Sequence, residues 1–305
     1  MKLLLKKSLF YIKRDRYLYL LLILPLTYYA IFRYGSMYGV TIAFKNYSIF
    51  AGINGSKWVG LAVFRKIFNL KEFYRAVRNT FLLNFLDLIF GFPTPILLAL
   101  LINEIRVRWF KRVTQSLMYI PHFISWVVIG GIIYQMFATN TGIVNHVLKA
   151  AGLSAIPFLT DKNYWLGLYV AVGVWQSAGW GVIIYLAAIT GINSELYDAA
   201  EVDGANRGQR MWHITLPGIK STMAVLLIMA IGRMASIGFD RPFAIGNSVV
   251  RDYSDVISTF VYRIGILSAQ YNTAAAVGLF QSIINIALLF TANYASKKIT
   301  EESIF

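Results

Sequence analysis

The stretch 163–194 reads NYWLGLYVAVGVWQSAGWGVIIYLAAITGINS, a run without one Asp, Glu, Lys or Arg. A helix rises about 1.5 Å per residue and a bilayer core is roughly 30 Å thick, so about 20 such residues suffice to cross it. Soluble cores rarely keep a run of this length free of charge. Two further runs, 113–148 and 264–296, are equally free of acidic and basic side chains. Three more, 17–32, 80–102 around Asp87 and 222–239 around Arg233, are apolar but less uniform. The expectation is an all-α, polytopic membrane protein with about six transmembrane helices, centred in 17–38, 80–102, 116–137, 164–190, 221–240 and 273–295.

Composition agrees. Hydrophobic residues make up 57% of the 305 and charged residues 14%, against roughly 25% charged in soluble domains. The 29 Lys and Arg outnumber 14 Asp and Glu; in a chain with mean hydropathy +0.58 this excess fits anionic lipid rather than nucleic acid. The absence of cysteine excludes disulfides, thiolate metal sites and cysteine nucleophiles. Lys2, Lys6, Lys7, Lys13, Arg14 and Arg16 precede the first run, which lacks a small-x-small cleavage site and reads as an uncleaved first helix. With six spans the segments 1–16, 103–112, 193–220 and 296–305 share one side and hold 15 Lys and Arg in 64 positions, against 13 in 102 opposite. Basic residues favour the cytoplasmic side, so both termini are expected there. The bases of 63–77, interleaved with Val63, Phe64, Ile67, Phe68, Phe73 and Val77, suit an amphipathic helix on the membrane surface. No internal repeat divides the chain, which is expected to form one transmembrane domain over 1–305. The loops expected nearest solvent are 52–60, 139–162 and 241–253.

The expected cytoplasmic loop 193–219 carries the most specific pattern. Asn193 or Ser194 can cap a helix start, Glu195 places negative charge in its first turn, and Gly204 suits the left-handed turn that ends it. A second short helix should follow, and Pro217 should mark the beginning of span five. Such a helix-turn-helix, flattened by Ala199 and Ala200, can dock in a groove of another protein; the plain alternative is a solvated connector.

The spacing Asp198-Ala199-Ala200, Gly204, Ile214-x-Leu216-Pro217 resembles the EAA motif of binding-protein-dependent ABC importer permeases. The segments 17–22, 38–45, 99–104 and 119–128 resemble the carbohydrate subgroup related to the larger maltose permease subunit, and within it permeases for oligosaccharides and polysaccharide fragments. The resemblance covers nearly the whole chain. It implies the type I importer permease fold and a coupling loop, with Glu195, Tyr197, Asp198, Ala199, Ala200, Asp203, Gly204, Ile214, Leu216 and Pro217, that inserts into a cytoplasmic ATPase. One departure stands out: Asp198 occupies the motif's leading glutamate position. The resemblance further implies two ATPase subunits, a second homologous permease, an extracytoplasmic solute-binding protein and a multi-pass place in a bacterial inner membrane. No Gly-x-x-x-x-Gly-Lys-Ser/Thr occurs, so ATP and Mg are expected on the partner ATPases, with no cofactor in this chain.

No catalytic constellation or metal site emerges, since His122, His146 and His213 fall in separate segments. Substrate-pathway candidates come from polar faces within the spans. Arg233, Ser236 and Asp240 stand at i, i+3 and i+7. By the same spacing Gly173, Gln176, Ser177 and Trp180 share a face of span four, and His122, Ser125, Trp126 and Gly130 one of span three. Sugars need hydrogen-bonding groups for their hydroxyls and aromatic surfaces for their ring faces. The plain alternatives are interfacial tryptophan belts and helix packing, the default for Asn84, Asp87 and Gly91 in span two. Asp240, Asp87 and an acidic sugar are the candidate partners of Arg233. The rivals to a sugar importer are an ABC permease for another solute, an ion-gradient-driven transporter, disfavoured by the missing inverted repeat, and a non-transporting scaffold.

Overall fold

The computed structural model describes residues 14–300; Lys2, Lys6, Lys7 and Lys13, and the segment 301–305, lie outside the described residues. The fold is α-helical. Among the described residues the strands are β1 (Lys45–Asn46) and β2 (Lys57–Trp58), which pair antiparallel. Two compact units partition the chain.

The first unit comprises 14–67 and Ile264–Leu279. It begins with α1 (Arg16–Tyr28), which continues through a π-type turn and a 3-10 turn as one apolar helix, Arg16–Phe44, longer than the expected 17–38. Every residue of 16–38 is exposed. An apolar helix uncovered on all sides is stable in lipid or against another chain, not in water. The β1–β2 hairpin follows, its loop closed by the Ser56 hydroxyl, which donates to the Gly52 carbonyl at 2.6 Å and accepts from the Ser48 N–H at 3.1 Å. The short helix α2 (Ala62–Ile67) buries Val63 and Ile67. The amphipathic helix expected over 63–77 is therefore cut: it ends at Ile67, and Lys71 opens a different element.

The second unit comprises Phe68–Arg263 and 280–300. Its first helix, α3 (Lys71–Gly91), passes through a break at Phe92 into α4 (Pro93–Asn103). Span two thus starts nine residues before the expected boundary, and Lys71, Arg75 and Arg78 belong to its first helix. The expected third span, 116–137, is two helices, α5 (Arg108–Tyr119) and α6 (Trp126–Phe137), bent by 99° across the Pro121 turn. After α7 (Ile143–Ala150), the stretch 163–194 becomes α8 (Lys162–Thr190), capped by the Asp161 carboxylate, which accepts from the Asn163 N–H at 2.9 Å.

Helix α8 is the pillar of this unit. Its buried residues form two groups: Trp165, Tyr169 and Val172 lie in one apolar cluster with Ile129, Ile133, Ile245 and Val250, and Val182, Tyr185 and Ile189 in another with Ile96, Leu100 and Ile219. At about 100° per residue the two groups fall on different faces, so α8 is packed on one side in its first half and on another in its second.

Beyond it lie α9 (Ser194–Val202), α10 (Arg207–Arg210) and α11 (Lys220–Gly232), where Arg207–Gly218 meets Lys220–Gly232 at 58°. The expected fifth span, 221–240, stops at Gly232. Short helices α12 (Asp240–Ile245) and α13 (Ile257–Val261) precede the last, α14 (Tyr271–Thr300), whose residues from Phe280 belong to this unit. Among the described residues four helices are long and apolar enough to cross a membrane, up to six if each bent pair counts as one span.

Two segments expected as solvent loops are packed instead. Asn145 is fully buried and its amide binds the Ile156 N–H and carbonyl at 2.8 and 2.9 Å. Within 241–253, Pro242, Ile245 and Val250 are buried. The Asn79 amide on α3 clamps this segment by donating to the carbonyls of Asp252 and Asp255 at 3.0 and 2.9 Å.

Candidate substrate cavity and coupling segment

A cavity of about 670 Å³ opens within the second unit, between α3, the first turn of α6, the middle of α8 and the segment from the end of α11 to α12. Pockets that hold small ligands measure about 300–1,000 Å³. The wall formed by 233–239 is non-helical, which inside a bilayer requires that its backbone groups find partners. Three amide side chains supply them. Asn84 donates to the carbonyls of Met234 and Ser236 at 2.7 and 3.2 Å, and Gln281 donates to that of Ala235 at 2.7 Å. Asn285 accepts from the Ala235 N–H at 3.2 Å and donates to the Ser236 hydroxyl at 2.6 Å. Gln281 and Asn285 escaped the sequence reading, although two amides one turn apart in a charge-free span are a visible signal.

The break corrects the expected geometry of span five. Arg233, Ser236 and Asp240 do not share one helical face, because α11 ends at Gly232 and Asp240 opens α12. All three still line the cavity. Arg233 and Asp240 are exposed to it, and neither makes an ion pair among the described residues.

Asp87 is engaged elsewhere. Arg241, counted in the sequence as an outer-loop base, reaches it with Nη1 to Oδ2 at 2.7 Å and Nη2 to Oδ1 at 3.1 Å. The guanidinium also donates to the Tyr169 carbonyl and lies 3.7 Å from the centroid of the Tyr169 ring. Gly173 makes room for it: a Cβ there would come within 2.2 Å of Arg241 Cζ. Asp87, Tyr169, Gly173 and Arg241 thus form one built cluster in the cavity wall.

The remaining candidates divide. Trp126, Gln176 and Ser177 line the cavity, but Ser125 and Trp180 do not. His122, Ser125, Trp126 and Gly130 do not share a helical face, because the chain turns at Ile124 before α6 begins. Ser125 is the N-cap of α6, its hydroxyl accepting from the Val128 N–H at 3.4 Å. The Trp180 ring stacks on His122 at 4.8 Å and 12°. Gln176 donates to the His122 carbonyl at 3.3 Å, and the Ser177 hydroxyl to the Gly173 carbonyl at 2.8 Å.

From the C-terminus of α8 the chain passes directly into α9. Asn193 caps that helix, its side chain accepting from the Glu195 N–H at 3.0 Å. Gly204 ends it at φ +77°, a left-handed conformation that L side chains rarely adopt, and the Ala205 N–H returns to the Ala200 carbonyl at 2.9 Å. Asn206 and Gln209 form a reciprocal capping box at α10. Glu201 and Arg210 pair at 2.7 Å, and the hydroxyls of Tyr197 and Thr215 lie 2.9 Å apart. The two turns are thereby held as one hook. Glu195, Asp198, Ala199, Asp203 and Gly204 are exposed on it, with Leu196 and Val202 as uncovered apolar residues. Ala200, Asp203, Gly204 and Ile214 line a concavity of about 320 Å³ in the hook. Leu216 packs toward the cluster around Ile219, and Pro217 precedes the bend into α11.

A predominantly helical membrane fold with a polar cavity and an exposed hook fits the architecture of a transport permease. Residues 91–301 match the family model described as binding-protein-dependent transport system inner membrane component, and the chain belongs to that family. It is 44% identical over 294 residues to Protein LplB of Bacillus subtilis (strain 168), covering 96% of this chain and 92% of the relative. It is 40% identical over 300 residues to the polygalacturonan/rhamnogalacturonan transport system permease protein YteP of the same organism, covering 98% and 94%. The crystal structure of a bacterial ABC transporter involved in the import of the acidic polysaccharide alginate matches with TM-score 0.88 and 38% identity over 96% of this chain and 99% of that chain. The chain is a multi-pass ABC transporter permease rather than an enzyme.

Proposed function

We propose that this chain forms one transmembrane permease domain of an ATP-driven importer that moves an oligosaccharide across the bacterial inner membrane, with both termini in the cytoplasm. The observation that carries the reading is the placement of cavity and hook on one rigid element: Ser177 on the cavity wall and Thr190 beside the hook are separated by roughly 20 Å of continuous α8. Displacement of the hook by a partner ATPase would be passed through α8 and α11 to the cavity. A relative named for polygalacturonan/rhamnogalacturonan transport supports a sugar chain as cargo. The alginate transporter solved with a pentasaccharide-bound periplasmic protein, which matches with TM-score 0.87, supports delivery by a solute-binding protein.

In this mechanism two ATPase subunits bind ATP and Mg, close, and draw the 198–204 segment with them. This chain and a second homologous permease then switch from inward to outward opening, and the docked binding protein releases sugar into the cavity. Hydrolysis resets the inward state. The switch requires that ATPase and binding protein favour different states, since a partner with equal affinity for both moves no equilibrium.

The test is mild-detergent purification of the tagged chain from its native membrane, followed by ATP-dependent uptake in proteoliposomes. A second permease and a Walker-containing ATPase should be recovered, with turnover stimulated by loaded binding protein. Gly204→Pro should abolish uptake while leaving membrane insertion intact; normal uptake in that variant would sink the role of the hook, and transport by the chain alone under an ion gradient would overturn the importer.

A further inference from the structure

We infer that Arg233 binds the carboxylate of a uronate-bearing oligosaccharide in the cavity, so that the cargo is an acidic sugar; this rests on the oligosaccharide-permease reading. The sequence offers Arg233 three partners, Asp87, Asp240 or an anionic ligand. The structure removes the first two. Both oxygens of Asp87 are held by Arg241, and no ion pair joins Arg233 to Asp240 among the described residues. The two arginines are therefore unequal. Arg241 is committed to Asp87 and to the ring and carbonyl of Tyr169, whereas Arg233, on the same cavity, is an exposed residue without an ion pair among the described residues.

The other polar groups of the wall are neutral, and each already holds a bond within the protein. Asn84, Gln176, Ser177 and Ser236 each hydrogen-bond to a backbone carbonyl or to Asn285. Arg233 and Asp240 are the two charges left for a ligand. A uronate ring carries its carboxylate on one edge and secondary hydroxyls on the other. The carboxylate accepts two parallel hydrogen bonds from a guanidinium, and the hydroxyls donate to a carboxylate such as Asp240. A carboxylate that leaves water also needs a compensating charge, which Arg233 supplies. Its position at the C-terminal cap of α11 offers the competing structural role, a cation against the helix dipole, and the test separates the two.

The importer retained on the tagged full-length chain is reconstituted with its binding protein and given a mixed pool of galacturonate, guluronate and mannuronate oligosaccharides, or the same pool after methyl esterification. The ratio of acid to ester uptake is measured, together with recovery of the assembled complex. The wild-type ratio should be roughly tenfold or more, the size of a lost charge-assisted hydrogen bond. Arg233→Gln should bring it close to one, and Arg233→Lys, which keeps the charge without the fork, should leave an intermediate value. If Arg233→Gln fails to assemble, the drop in Arg233→Lys decides. An unchanged ratio in an assembled variant overturns the role of Arg233. Equal uptake of acid and ester by the wild type, or uptake of neither pool, overturns the acidic cargo; the oligosaccharide reading falls only if a pool of neutral oligosaccharides is also refused.

Discussion

The hook and the cavity wall are joined by the same helix yet are built by opposite means. In the hook, contacts are local: Asn193 caps a helix two residues away, Ala205 closes on Ala200, and Glu201 reaches Arg210 nine positions on. In the wall, Arg241 reaches 154 positions back to Asp87, and Asn84 reaches 150 positions forward to Met234. A locally closed segment can move as a body without losing its shape. A wall stitched over long range ties several helices to one geometry, so loss of one member should be felt by all.

The comparison breaks most readily at Asp87. Its side chain and that of Arg241 are 28% and 13% exposed, and Asp87→Ala leaves the guanidinium buried without its counter-charge. The expected loss is roughly 3–5 kcal/mol. Thermal unfolding in detergent measures it, and the double variant Asp87→Ala/Arg241→Met should be more stable than Asp87→Ala alone. A double variant no better than the single would mean that the pair does not act as a unit.

A smaller effect is expected at Gly173, where alanine places its Cβ against the Arg241 guanidinium. Forcing that group aside should cost about 1–3 kcal/mol, with a fall in transport, because the displaced side chain also sits on Tyr169. Unaltered melting and uptake in Gly173→Ala would show that Arg241 has room that the packing denies it.

At the hook, Asn193→Ala removes the cap of α9 and should cost about 1 kcal/mol. Its mark should lie in coupling: the ratio of sugar moved to ATP hydrolysed should fall further than stability does. A variant that loses stability and coupling in proportion would remove the distinction between the two regions.

Much of this was legible in the sequence, and the pattern of what was not is instructive. Asn193, Glu195 and Gly204 announced a capped helix ending in a left-handed turn, because such signals act within a few residues and survive any tertiary context. The charge-free run 163–194 announced α8 for the same reason. Span three was read as continuous although Pro121 lay within it, and the chain bends there by 99° between α5 and α6. Arg233, Ser236 and Asp240 were placed on a single face by helical spacing, and they share a cavity although the helix between them is broken. Here the right neighbours came from the wrong geometry. Arg241 was missed because an arginine just beyond a span looks like an interfacial base, and nothing nearby in sequence names Asp87.

What the sequence determined by itself is the membrane class, the number of apolar segments and the form of the hook, since hydropathy and capping are properties of short contiguous stretches. What only the tertiary structure decided is the chemistry of the cavity: which arginine is neutralised and which is left without an ion pair, and which amides satisfy an unwound stretch of chain in its wall. Those outcomes depend on residues 46 to 154 positions apart meeting within hydrogen-bonding distance, where no local propensity reaches and only the packing of α3, α8, α11 and α14 brings partners together.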